Sequence, residues 1–255
     1  MIINSVAIYV LWLREMKRFI RAKSRIVGSL AMPLFFLAFL GFGFSRMAIP
    51  GMSGGVKYIN FLVPGIIGMG MLFSSMMAGM SVLWDKEFGF LKEIMVAPVS
   101  RVSIVLGRIA GGMTTALIQA IMILLISLLI GFKIASLASL LLAVVFMILI
   151  STSFIGLGLI FASKMKDMQG FGLVMNFIIF PLFFLSGALY PLQNFPVWIR
   201  FLTYIDPLTY GIDGLRASLL GVSSFSLLFD LILLFGISLL MVSLGAYFFE
   251  KSESV

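Results

Sequence analysis

The chain contains no cysteine and no histidine among its 255 residues. Disulfides are therefore excluded, as are metal sites built on Cys or His ligands. Without histidine there is no Ser-His-Asp or Cys-His arrangement for nucleophilic catalysis. Charge is scarce as well. Asp, Glu, Lys and Arg make up 11% of the residues, where a soluble domain carries roughly a quarter. No GxxxxGK[S/T] phosphate loop occurs, so the chain has no such motif with which to cradle a nucleotide. So little charge cannot cover a water-soluble domain.

What the chain has instead is 62% hydrophobic residues, gathered in long runs. Runs of about 18 or more apolar residues read as membrane helices. In a bilayer core every backbone amide must bond within the protein, and this overrides the strand propensity of Ile and Phe. Six runs qualify, near 29–46, 59–84, 103–131, 134–163, 169–189 and 226–249. The expected fold is an all-α integral membrane protein with six transmembrane helices, forming a single transmembrane domain over 1–255.

Residues 1–28 differ from the spans. Val6, Tyr9, Val10, Leu13, Met16 and Ile20 recur at helical spacing, while Arg14, Lys17, Arg18, Arg21, Lys23 and Arg25 crowd the later part. This pattern predicts an amphipathic helix in the membrane interface. The N-terminal segment, the 85–108 and 163–169 connections and the tail hold thirteen of the 18 Lys and Arg residues. The opposite side has Arg46, Lys57, Lys133, Arg200 and Arg216. By the positive-inside rule both termini face the cytoplasm, as an even number of spans requires. The formal charge of +8 is then topogenic rather than a sign of nucleic-acid binding.

Residues 190–225 are too broken by Pro191, Pro196 and Pro207 for one span, and too aromatic for a solvated loop. Two short helices, about 195–205 and 207–220, are expected to dip in from the outer side and return. Such a re-entrant element needs burial in protein. Most carboxylates fall at helix ends, and Asp230 alone enters a span. The other polar groups inside spans are Gln119, Asn176 and several Ser and Thr, which more often join helices than bind an ion. Ion-driven carriers usually keep ionisable groups in the membrane interior, so a stand-alone carrier or channel is the alternative reading, not the leading one. Spacings such as Gly107-x-x-x-Gly111 allow close helix approach, here read as internal packing.

The connection 85–101, DKEFGFLKEIMVAPVSR, alternates charged with apolar residues. A short helix there would present both kinds of face, Pro98 would end it, and Ser100 could cap the next helix. On the residues alone, an interhelical clamp and a partner-docking element remain equally open.

Three stretches resemble a known family. They are Glu87–Glu93 followed by Val96-Ala-Pro-Val-Ser-Arg101; Leu106-Gly-Arg-Ile-Ala-Gly-Gly112 with Gln119 after it; and Asn176 through Phe180–Pro191 to Asp206–Tyr210 and Asp213–Arg216. In this order and with six spans, the chain resembles the membrane subunit (permease) of ABC type-2 exporters, of the daunorubicin-resistance permease kind. The resemblance implies a permease that binds no cofactor itself and works with a separate ATP-binding subunit in two copies, which holds ATP and Mg. It also implies a second permease subunit, here a second copy. Glu87, Gly89, Leu91, Glu93, Val96 and Pro98 would dock the ATPase. Spans one and five would line a path between subunits, with Phe35, Phe36 and Phe39 on one and Asn176, Phe177 and Phe180 on the other. Phe183, Phe184 and Tyr190 would form an outer gate. A wall of phenylalanine with one amide suits a hydrophobic or amphipathic cargo such as a drug, lipid or glycan carrier.

Overall fold

The computed structural model describes residues 4–44, 57–89, 99–134, 136–165 and 167–252. Helix α1 spans Ser5–Arg21. The Asn4 side chain opens it by accepting the backbone N–H groups of Val6 (3.0 Å) and Ala7 (3.2 Å). Arg18 and Arg21 close it, where cations complement the helix C-terminus. Here the structure departs from the sequence pattern, which ran a single amphipathic helix to residue 28. Ala22 adopts φ −90° and ψ 62°, and α2 begins at Lys23 and runs to Gly43. Because ψ leaves the helical region, the chain changes direction there. Arg21 and Lys23 stay exposed while α2 continues as the first span.

Among the described residues, six helices are long and apolar enough to cross a membrane: Ile26–Gly43 within α2, Tyr58–Glu87 (α3), Arg101–Leu129 (α4), Ala138–Lys164 within α5, Met168–Leu185 (α6) and Leu227–Lys251 within α9. Between the last two lie α7 (Val197–Thr203) and α8 (Pro207–Leu220). In full, α5 spans Leu137–Lys164 and α9 spans Leu227–Ser252. No strand occurs among the described residues. The chain is a multi-pass, all-helical membrane protein.

Helix α3 is the central post. It contacts α2, α4, α5 and α8, and 78% of its most apolar stretch is buried, against 22%, 17% and 17% for α2, α6 and α9. Lipid tails are as apolar as leucine, so burial from water cannot drive these contacts, and close van der Waals packing replaces it. The α3–α5 crossing shows how: a Cβ on Gly79 would lie 2.6 Å from the Gly158 Cα. The two backbones touch, and any side chain there would overpack the crossing at about 1–3 kcal/mol.

Helix α6 is irregular at its centre, where Met175–Ile179 takes the wider π form. Pro181 lacks an N–H and its ring would clash with the Phe177 carbonyl in a regular helix; the wider turn accommodates this. After α6 the chain reverses at Gly187 (φ +73°). Tyr58 Oη donates to the Leu189 carbonyl (3.1 Å) and Arg216 Nη2 to the Gly187 carbonyl (3.1 Å), tying the reversal to α3 and α8. The two short helices expected after residue 190 are present. The first ends at Thr203 rather than near 205, since Pro207 disfavours helical geometry at Asp206 and a turn must intervene.

Candidate coupling and translocation sites

At one end of the bundle, α1 lies along α4. Gly107 and Gly111 make its seat, for a Cβ on Gly107 would meet Leu11 Cβ at 2.9 Å and one on Gly111 would meet Glu15 Cβ at 2.8 Å. The small-residue spacing thus serves an internal seam. Trp12 Nε1 donates to Thr114 Oγ1 (3.0 Å), and the Asn4 backbone N–H to Ser103 Oγ (2.9 Å). Asp85, near the end of α3, locks the assembly. Its Oδ1 accepts Arg14 Nη2 (3.0 Å), and its Oδ2 accepts Arg14 Nη1 (3.0 Å) and Arg108 Nη2 (2.6 Å). The Asp85 and Arg108 side chains are both 8% exposed, Arg14 33%. One carboxylate therefore binds three helices with charge-assisted bonds.

Asp85 also opens the segment 85–98 expected to dock an ATPase. Glu87, the last residue of α3, is exposed, and Gly89 follows with φ +75°, a left-handed geometry that favours glycine. Leu91, Glu93, Val96 and Pro98 lie outside the described residues. Beyond them Ser100 caps α4, accepting the Ser103 N–H at 3.3 Å as its position suggested.

The residues expected along the path divide between two environments. Phe35 and Phe39 stack on each other (4.1 Å) on the outward face of α2, 57% and 63% exposed. Asn176 and Phe177 are likewise exposed on α6. Phe36 and Phe180 turn inward: Phe36 meets Phe183 edge-on (6.1 Å) and Phe180 meets Phe73 (5.0 Å). Of the three residues expected at the outer gate, Phe183 is fully buried and packs on Phe184 (5.2 Å), while Phe184 and Tyr190 are part exposed.

A cleft of about 410 Å³ opens between α2, α3, α4 and α6. Gln119 reaches its wall from α4, Nε2 donating to Ser29 Oγ (2.9 Å), which donates in turn to the Ile26 carbonyl (2.9 Å). Sequence had marked Gln119 as a helix-joining amide; the cleft beside it had no sequence signal, because its wall is assembled from four separate helices.

The opposite end of the bundle holds a buried ionic group that the sequence pattern, with only Asp230 inside a span, did not foresee. Asp206 caps α8 through the Leu208 N–H (2.9 Å), with the Thr209 hydroxyl beside its carboxyl. Burial pushes its carboxyl up to about 8. Asp213 accepts the backbone N–H groups of Ser224 (2.8 Å) and Phe225 (2.9 Å), holding the turn before α9. Arg216 stacks on the Phe61 ring at 3.8 Å, and burial, opposed by the nearby Asp213, brings its guanidinium down to about 10. Asp230 is fully buried, and its carboxyl lies against that of Asp213, so the two can share a proton. Folding α8 back against α3, α5 and α9 is what collects these groups from separate parts of the sequence.

Comparison with known proteins places this arrangement. The profile of the ABC-2 type transporter family matches residues 6–220, from α1 to the end of α8. The chain belongs to the ABC-2 type transporter family. Within it, the inner membrane transport permease YadH of Escherichia coli K12 is 29% identical over 222 residues, covering 86% of this chain and 84% of YadH. The putative transport permease ycf38 of Porphyra purpurea is 29% identical over 200 residues, covering 77% and 68%. The probable multidrug ABC transporter permease YbhR of E. coli K12 is 29% identical over 159 residues, covering 62% and 43%. The ABC-2 match runs through every helix described above except α9, so both the Asp85 lock and the cleft lie inside it.

Proposed function

We propose that this chain is the permease subunit of an ATP-driven exporter, coupled to a separate ATP-binding subunit that holds ATP and Mg. The observation that carries the proposal is the ABC-2 type transporter match across residues 6–220 in a chain that lacks a phosphate loop. Two permease copies and two ATPase subunits form the working unit. The Lys and Arg distribution supports a plasma or inner membrane location with both termini in the cytoplasm. In that orientation α1 lies in the cytoplasmic interface, and α7 and α8 form the outer re-entrant element. The 85–98 segment meets the ATPase through Glu87, Gly89, Leu91, Glu93, Val96 and Pro98. The path runs along the seam of α2 and α6, whose outward phenylalanines suit a hydrophobic or amphipathic cargo.

The test is copurification of the tagged chain with a phosphate-loop ATPase from the same cells, followed by cargo-stimulated ATP hydrolysis. Glu87→Ala with Glu93→Ala should detach or uncouple the ATPase while the spans remain folded. A second reading, a carrier driven by protons and working alone, is favoured by Asp230, a fully buried carboxyl set against that of Asp213. It is distinguished by cargo movement that continues without ATP and stops in Asp230→Asn; that result would displace the permease reading.

A further inference from the structure

The cleft between α2, α3, α4 and α6 has the size and wall of a small-molecule site. Its volume of about 410 Å³ falls in the range of drug-sized ligand pockets. Among the described residues no charged side chain lines it, so an ionised ligand would lose its hydration without gaining a counter-charge there. Met32, Met69, Met77 and Met175 supply four thioethers from three helices. Methionine is flexible and polarizable, and it makes favourable contacts with aromatic rings while adapting to different shapes. Met175 is also the first residue of the π turn forced by Pro181, so the irregularity in α6 helps form this wall.

The polar part of the wall includes one amide oxygen free to accept a hydrogen bond. The Gln119 amide donates through Nε2 to Ser29, which leaves its oxygen to accept. Ser29 Oγ is already committed, taking the Gln119 proton and giving its own to Ile26. Pro33, four residues after Ser29 and also in the wall, has no N–H, so the Ser29 carbonyl loses its normal helical partner. The Gln119 amide oxygen is thus an acceptor in the wall that is open to a donor from a ligand.

We propose that this cleft binds an uncharged, drug-sized molecule with an aromatic or similarly polarizable body and at least one N–H or O–H donor, the donor seated on the Gln119 amide oxygen. The proposal rests on the permease reading and supplies the chemistry of the cargo. The cleft lies within one subunit, and the phenylalanines of the α2–α6 seam do not line it; Phe73 of α3 does.

The absence of native cysteine makes the test direct. Ser74→Cys puts a single thiol in the cleft wall, and Leu141→Cys puts one on the exposed face of α5, where Leu141 is 70% exposed. The full chain in nanodiscs is labelled with N-ethylmaleimide at neutral pH, with 2-naphthol or its donor-free analogue 2-methoxynaphthalene present. 2-Naphthol should slow labelling at Ser74→Cys and leave Leu141→Cys unchanged. Losing the donor, or adding Gln119→Leu, should raise the half-protective concentration about tenfold, the size of one hydrogen bond. Met77→Ala, which leaves the amide intact, should also weaken protection, and it serves if Gln119→Leu fails to fold. Equal protection by the two naphthalenes would mean an apolar occupant such as an acyl chain and would overturn the proposal. Equal slowing at both thiols would mean partition into lipid and would overturn it too. The measurement needs neither ATP nor an ATPase, so a failed copurification bears only on the permease reading.

Discussion

At the scale of single residues, Asp85 carries the most consequence. Removing one member of a buried ion pair leaves the other charge uncompensated, so Asp85→Ala is expected to cost about 3–5 kcal/mol. Arg14→Ala should cost only about 1 kcal/mol, because Arg14 is a third exposed and the Asp85–Arg108 contact survives it. Asp85→Ala combined with Arg108→Leu should recover part of the loss, since no buried charge is then stranded. Thermal inactivation in detergent ranks the variants; an Arg14→Ala loss as large as that of Asp85→Ala would show that the lock is not centred on Asp85. In the sequence Asp85 was visible only as the first charge after an apolar run, and Arg108 as a topogenic cation. Their pairing depends on α3 packing against α4, and Arg14 joins them only when α1 folds onto α4, contacts that no local pattern encodes. Gln119 stood out because an amide inside a span needs a partner, but the sequence could not say that the partner was Ser29.

Among the elements, the segment from Gly187 to α8 is the one whose stability should respond to pH. The Asp206 carboxyl titrates at about 8 in the folded chain, against about 4 when unfolded. Between these values the folded state holds a proton that the unfolded state has lost. The stability that Asp206 contributes is therefore complete below about pH 4 and is lost as pH rises through about 8. The melting temperature should fall over that window, and Asp206→Asn, which keeps the α8 cap, should flatten the decline. An unchanged slope in Asp206→Asn would assign the pH dependence to another group. The start of α8 was legible because Pro207 at a first helical position with Asp206 before it is a local signal. The six spans were legible because hydropathy alone sets them. The break at Ala22 and the π turn in α6 were not. Ala22 has no breaker chemistry, and Pro181 signals a distortion without saying which form it takes.

For the whole molecule, the unevenness of burial is the informative feature. Helix α3 is enclosed, whereas α2, α6 and α9 turn most of their apolar surface outward. Lipid can cover all three, but Asn176 lies on the outward side of α6, and an amide facing hydrocarbon leaves donors without partners. That cost argues for protein or a hydrated path opposite Asn176, and so for a second copy against α2 and α6 rather than against α9. The lack of native cysteine again makes the expectation measurable. Two differently tagged copies are coexpressed, one with Phe35→Cys and the other with Phe177→Cys, at positions 57% and 76% exposed in the single subunit. Mild oxidation should join them into a dimer that reductant separates. The control pair, Phe35→Cys with Ile232→Cys on α9, should stay monomeric although Ile232 is 61% exposed. If the control pair joins and the α2–α6 pair does not, the copies meet through α9, and the path along the phenylalanine seam must be given up.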